Sequence, residues 1–265
     1  MTPLAMLAHW DQGRLWTEVP SADPAFDVAA AYDTSLQVAR LRMARNEVPL
    51  GFKVGFTNRT IWPRYNVFAP IWGPVWNSTL KQCEGSGSLS LAGTCQPRIE
   101  PETVFGMLST LTLNASLDDL FEAIDWVAPG FEIVDSHLPL WKFAAPDAVA
   151  DGALHARLLV GRRTPVRTLA RSAGQLHQLL AAATVTLRKA GEVVDRGLGA
   201  NVLDSPLRAL HHFMNELRRC PGAPDLRPGD VVTTGTWTDA WPVVAGESWS
   251  AEFSPPLSNL LVAFQ

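Results

Sequence analysis

Pro97-Arg98-Ile99-Glu100-Pro101-Glu102-Thr103-Val104-Phe105-Gly106-Met107 is a largely apolar stretch that carries two carboxylates at i and i+2. If it is extended, Glu100 and Glu102 point to one face, roughly 6–7 Å apart along the strand. From that spacing both can converge on one hard cation. Without a cation they repel, and one must protonate or turn to solvent. Pro101 between them favours an edge or bulged strand, so a solvated strand face is the simpler alternative. With 11 Glu among 265 residues, chance alone supplies about 0.5 such pairs per random chain of this composition. The pair therefore needs support from elsewhere in the chain.

That support is Gly130-Phe131-Glu132-Ile133-Val134-Asp135-Ser136, which reads as a second strand with Glu132 set in an apolar run and Asp135 of opposite parity. An unpaired carboxylate buried in such a run is costly, so Glu132 lies at a sheet edge or meets a positive partner. No cluster of Lys or Arg matches the three glutamates. A divalent ion does, and with all-oxygen ligands and no Cys or His pair at zinc spacing it is Mg²⁺ or Mn²⁺.

Three further blocks follow the same order along the chain: Gly51-Phe52-Lys53-Val54-Gly55-Phe56-Thr57 before these two, then Gly199-Ala200-Asn201-Val202-Leu203 with Ser205-Pro206, and Gly229-Asp230-Val231-Val232-Thr233-Thr234-Gly235-Thr236. Together the five blocks resemble the 2-keto-4-pentenoate hydratase and 4-oxalocrotonate decarboxylase branch of the fumarylacetoacetate hydrolase superfamily, over about residues 50 to 264. The resemblance implies a divalent metal on Glu100, Glu102 and Glu132, a 2-oxo acid chelated to it, and Lys53 as the proton-transfer lysine. A loop around Thr236 is expected to help close over the substrate. Two departures bear on mechanism. Asp151-Gly152-Ala153-Leu154-His155 lacks the serine usual in the family, which makes His155 a candidate proton donor. Ser78 stands where hydratases carry an acidic residue that assists water, so it is a candidate substrate contact.

Composition agrees with an enzyme: 47% hydrophobic and 18% charged residues supply one large core, with or without a small helical lobe. A net charge of −4 gives no basic field for nucleic acid or anionic membrane. No apolar run reaches membrane-spanning length, and His9, Asp11 and Arg14 interrupt any signal-peptide core. Cys83, Cys95 and Cys220 lack paired spacing and read as reduced thiols of a cytoplasmic protein.

Apolar residues recur at helical spacing from Pro3 to about Asn46, and after Val48-Pro49 the pattern changes to short apolar runs broken by Gly and Pro. The chain thus divides into an N-terminal helical lobe (1–48) and a catalytic domain (49–265). The fold class is α+β, with a strand-dominated, mixed β-roll or barrel-like catalytic domain. Expected strands are Gly51–Phe56, Arg98–Leu108, Gly130–Ser136, Ala156–Val160, Val185–Arg188, Glu192–Asp195, Asp230–Thr234, Trp249–Phe253 and Asn259–Phe264. Lys189-Ala190-Gly191 forms a hairpin turn. Ser116 with Asp119 is a capping box, and Ser205-Pro206 opens a second helix.

Lys53 lies between two glycines in an apolar strand, where lysine needs an acidic partner or a task; a snorkelling side chain is the plainer alternative. Beside a metal its pKa falls, which suits proton transfer. Arg98 either grips a substrate carboxylate or neutralises Glu100. Trp72, Trp76, Trp237 and Trp241 are read as loop residues able to wall a pocket; His211 and His212 are packing or surface residues. The function expected is a metal-dependent lyase on an unsaturated 2-oxo acid: a dienoate hydratase first, a 4-oxalocrotonate-type decarboxylase or acylpyruvate hydrolase as alternatives, and a binding module as the distant one. A homo-oligomer is expected, with no nucleic-acid or membrane partner.

Overall fold

Capping side chains and prolines set where the helices start. Thr2 and Asp27 accept from backbone N–H groups three residues on, and Ser205 does the same ahead of Pro206. The computed structural model describes residues 1–265. Its helices are α1 (Pro3–Gln12), α2 (Val28–Ala44), the single turn α3 (Trp62–Tyr65), α4 (Leu117–Glu122), α5 (Ala145–Ala150), the single turn α6 (Val166–Leu169), α7 (Ala173–Ala182) and α8 (Pro206–Arg219). Its strands are β1 (Pro49–Gly55), β2 (Ile71–Trp76), β3 (Leu80–Gln82), β4 (Ser86–Leu89), β5 (Arg98–Met107), β6 (Ile124–Val134), β7 (His155–Val160), β8 (Thr164–Pro165), β9 (Thr184–Lys189), β10 (Glu192–Leu198), β11 (Val231–Thr236), β12 (Trp241–Pro242), β13 (Ser248–Phe253) and β14 (Leu260–Phe264).

One curled sheet runs β2-β1-β11-β5-β6-β7-β3, with β12 added to β5 and β8 to β6; a second runs β10-β9-β13-β14-β4. One face of β1 sends Phe52 and Val54 into the main core, where Phe213 of α8 lies 5.3 Å from the Phe52 ring. Lys53, of opposite parity, faces the other way. The N-terminal helices share their core with the far side of the large sheet: Met6, Leu7, Ala31 and Val38 pack with Ile71, Val134, Ala148, Val149 and Leu154. No helix is long and apolar enough to cross a membrane.

The α+β reading holds, as do the capping box at Ser116 and the hairpin at Lys189-Ala190-Gly191, where Ala190 and Gly191 both take positive φ. Three corrections follow. Trp72 and Trp76 lie in β2 and are buried, not in a loop. Trp237 is a core residue against Phe253, and Trp241, half-buried, lies in β12 and not in a loop. The β2 strand is hidden in sequence by Gly73-Pro74, and Pro74 is tolerated because β2 is an edge that pairs with β1 alone.

Candidate active site

Register builds the site. Antiparallel pairing of β5 with β6 sets Glu100 directly opposite Glu132 and Glu102 opposite Gly130. Like charges directly opposed destabilise a ladder, so this register demands a proton, a cation or both. On the other side of β5, β11 carries one extra residue: Thr233 pairs with Val104 and Thr236 with Glu102, so Thr234 and Gly235 together face Thr103. The bulge frees two N–H groups, and Thr234 N (3.0 Å) and Gly235 N (2.7 Å) both donate to Glu102 Oε2. Gly235 has φ +96°, and a Cβ there would run into Thr57 Oγ1, so glycine is required at this point of the bulge.

Next in the sheet, β1 delivers Lys53, 3% exposed, whose Nζ donates to the Ala153 carbonyl at 2.9 Å and lies 3.4 Å from Glu132 Oε2. Gly73, paired with Lys53, makes this approach possible, because a Cβ there would collide with the Gly152 carbonyl. Glu102 and Glu132 are fully buried, and Glu100 is half-buried. One carboxylate oxygen of each of the three lies within 4.8 Å of the others. Glu102 Oε1 is buried with no hydrogen-bond partner, and Glu132 Oε2, also buried and without a hydrogen bond, is met only by the Lys53 ammonium at 3.4 Å. Such orphaned oxygens are expensive unless another group, such as an ion, meets them.

Electrostatics follow from this crowding. Burial pushes Glu100 up to about 7, with Lys53 opposing and Glu102 reinforcing. Burial likewise raises Glu132 to about 7 against the pull of Lys53, and it lifts Glu102 well above the carboxylate range with Glu132 adding to it. Lys53 does not follow the expectation of a lowered pKa: burial lowers it, yet Glu132, Glu100 and Glu102 together outweigh burial and raise it. A dication among the carboxylates would cancel their charge and restore the downward direction.

Lys53, Glu100, Arg98 and Thr236 line one cleft of about 260 Å³, with Phe56, Tyr65, Trp141, Phe143, Ile61 and Leu154 as its apolar wall. Tyr65 stacks on Phe56 at 4.7 Å and on Phe143 at 5.5 Å. Arg98 makes no salt bridge; its guanidinium lies 4.2 Å from the Trp141 ring centre. Thr236 Oγ1 donates to the Thr238 carbonyl at 3.0 Å. Sequence reasoning missed the aromatic wall, because its members come from separate segments, Tyr65 at the end of α3 among them, with no shared period.

Two candidates fall elsewhere. Ser78 donates to Glu47 at 2.7 Å and, with His155, lines a separate cavity that opens beside Arg42 and Arg157. His155 sits behind Glu132 and not in the cleft. Its Nδ1 is 2.9 Å from Glu132 Oε1 and its Nε2 is 2.8 Å from Thr79 Oγ1. Burial, then Lys53 and Arg42, push its pKa well below the usual range, so the ring is neutral. With Nδ1–H donating to the carboxylate, Nε2 accepts from Thr79. This geometry orients Glu132 rather than touching substrate. His155→Ala is expected to weaken Mg²⁺ binding by about 10–100-fold, with partial recovery in His155→Asn. A Mn²⁺ titration checks it, and a lowered kcat at unchanged metal affinity would make His155 a proton donor instead.

No family model matches the chain. It is 33% identical over 226 residues to a 2-hydroxyhexa-2,4-dienoate hydratase of Comamonas testosteroni, covering 84% of this chain and 81% of that protein. It is 32% identical over 241 residues to a 2-keto-4-pentenoate hydratase of Burkholderia vietnamiensis, covering 90% and 87%. A 4-oxalocrotonate decarboxylase from a Pseudomonas species is 30% identical over 190 residues, 72% of this chain and 70% of that one. Among solved structures, 4-oxalocrotonate decarboxylase from Pseudomonas putida G7, complexed with magnesium and adipate, superposes with a TM-score of 0.87 at 26% identity over 99% of this chain and 97% of that one. Fumarylpyruvate hydrolase from Pseudomonas aeruginosa, with Mn²⁺ and pyruvate, shares the fold at a TM-score of 0.61 and 17% identity, over 80% and 88% of the two chains.

Proposed function

Because the chain belongs to the 2-keto-4-pentenoate hydratase and 4-oxalocrotonate decarboxylase branch of the fumarylacetoacetate hydrolase superfamily, we propose that it is a metal-dependent lyase that hydrates a substituted 2-hydroxy-2,4-dienoate formed in aromatic-compound breakdown. The observation that carries this reading is the trio Glu100, Glu102 and Glu132, whose donor oxygens lie within 4.8 Å of one another, with Glu102 Oε1 buried and without a hydrogen bond and Glu132 Oε2 3.4 Å from the Lys53 ammonium. An all-oxygen donor set of this charge fits Mg²⁺ or Mn²⁺. Held by the three glutamates, the ion would supply Lewis-acid stabilisation of negative charge on the 2-oxo group.

The chain's own residues account for the rest. Lys53 Nζ, fixed by the Ala153 carbonyl, holds the proton that moves on and off the substrate carbon skeleton. Arg98, free of any salt bridge, presents its guanidinium to the substrate carboxylate, and Thr236 adds a hydroxyl at the same wall. Phe56, Tyr65, Phe143 and Leu154 exclude bulk water from the tail end of the cleft.

That wall sets specificity. Leu154 and the aromatic side chains favour a tail longer than the five-carbon parent; Ser78 and His155, outside the cleft, take no part. A dienoate bearing one or two extra carbons is expected to exceed the unsubstituted dienoate in kcat/KM by about tenfold or more. The test is turnover of a panel of 2-hydroxydienoates, a 4-oxalocrotonate-like diacid and an acylpyruvate with Mg²⁺, followed by product identification. Equal or better turnover of the parent dienoate would remove the specificity argument.

Decarboxylation of a 2-oxo-3-enedioate is the second reading, supported by Arg64, which shares the cleft with Arg98 and could meet a distal carboxylate. Release of CO₂ from the diacid in the same panel would select it. Homo-oligomeric assembly belongs to the proposal as well, since Phe68 (78%) and Leu113 (80%) are exposed and offer apolar surface for subunit contact. Light scattering that returned only the mass of one 28.9 kDa chain would contradict it.

A further inference from the structure

A second cluster of metal-ligating side chains lies apart from the glutamates. Cys95 precedes β5, while Asp135 and His137 follow β6. One donor atom from each lies within 4.8 Å of the other two. A tetrahedral ion with bonds of about 2.0–2.3 Å holds its donors roughly 3.4–3.8 Å apart, so about 1 Å of side-chain movement closes the site.

The histidine carries the independent sign of a ligand. His137 is 6% exposed, and its Nδ1 is engaged by Asp151 Oδ1 at 2.7 Å. Asp151 Oδ2 also accepts from the His137 backbone N–H at 2.9 Å, and Trp10 Nε1 donates to Oδ1. His137 Nε2 is buried and has no partner at all. A carboxylate that fixes one ring nitrogen and leaves the other bare is the arrangement that orients metal-binding histidines. The Asp135 oxygens are held by the backbone N–H groups of Cys95 (2.8 Å) and Gln96 (2.6 Å), which fixes the carboxylate against the cysteine's own backbone and leaves lone pairs free. Asp135 and His137 also line the cavity of about 290 Å³ beside Arg42 and Arg157, which supplies an entry path and room for a water ligand. Of those arginines, Arg42 is already paired with Glu47 at 2.6 Å.

We propose that Cys95, Asp135 and His137, with Asp151 orienting the imidazole, form a second divalent-metal site that takes a borderline-soft ion, zinc by preference. The mixed sulfur, nitrogen and oxygen donors select against Mg²⁺, so this site and the glutamate site sort different ions. Without an ion, burial, together with Asp135 and Asp151, pushes the Cys95 thiol up to about 12; a bound dication reverses that balance and releases the proton. The site would clip together the chain entering β5 and the chain leaving β6, the two strands that carry the three glutamates.

The test uses Co²⁺ as a spectroscopic probe on the full-length protein with Mg²⁺ held saturating. Thiolate ligation gives a sulfur-to-cobalt charge-transfer band in the near ultraviolet, which an all-oxygen site cannot produce. The band is expected at one equivalent, to vanish on addition of Zn²⁺, and to be absent from Cys95→Ser, a near-isosteric change at a half-buried position. It is expected to survive in the double variant Cys83→Ser, Cys220→Ser. No band in the parent protein, or a band that persists in Cys95→Ser, would overturn the proposal.

Discussion

Lys53→Met is expected to lower turnover by about 10² to 10⁴ while Mg²⁺ binds as tightly as before or more tightly. The two halves of this expectation come from different facts. The rate loss follows from removing the only ammonium in the cleft, held 2.9 Å from the Ala153 carbonyl and 3.4 Å from Glu132. The retained affinity follows because Lys53 competes electrostatically with a cation for the same carboxylates. Exchange of substrate carbon-bound hydrogen in deuterated water is the direct readout. Exchange at the parent rate in the variant would assign the proton to another group.

Glu102→Gln or Glu132→Gln is expected to cost about 10³ or more in activity, since metal polarisation is worth several kcal/mol and each 1.4 kcal/mol is tenfold. Stability moves the other way in the metal-free protein. Glu100 and Glu132 are raised from 4.5 to about 7, so between those values the folded state binds more protons than the unfolded chain. Their contribution is complete below about 4.5 and is lost as pH rises through 7. In EDTA the melting temperature should therefore fall from pH 5 to pH 8, and either Gln variant should melt above the parent at pH 8. With saturating Mg²⁺ the decline should flatten, because an ion replaces the protons. A metal-free parent that gains stability across this range would contradict the electrostatics assigned to the cluster.

The parts of this site that were legible in sequence were those governed by parity and local chemistry. Glu100 and Glu102 two residues apart, Glu132 in an apolar run and Lys53 between glycines each announce a strand residue on the polar face. The Ser116 capping box and the Ser205-Pro206 start are equally local. What stayed hidden depends on register and long-range closure. The bulge that turns Thr234 and Gly235 N–H groups onto Glu102 needs the pairing with β5. The aromatic wall needs Phe56, Tyr65 and Phe143 to meet from separate segments of the chain. His155, a candidate proton donor from sequence, lies outside the cleft and against Glu132; position next to Leu154 does not show which of the two faces the cleft. Leu154 closes the turn ahead of β7 with φ +67° and lines the cleft, whereas His155 opens β7 and packs behind Glu132.

The most direct measurement is a crystal structure of the protein soaked with Mn²⁺ and a non-reacting 2-oxo acid. The predicted result is one ion bound by Glu100, Glu102 and Glu132 at about 2.0–2.3 Å, with the 2-oxo and carboxylate oxygens of the ligand completing its shell and Lys53 facing the ligand carbon chain. An ion bound elsewhere, or the three carboxylates turned apart with the ligand held away from them, would contradict the account.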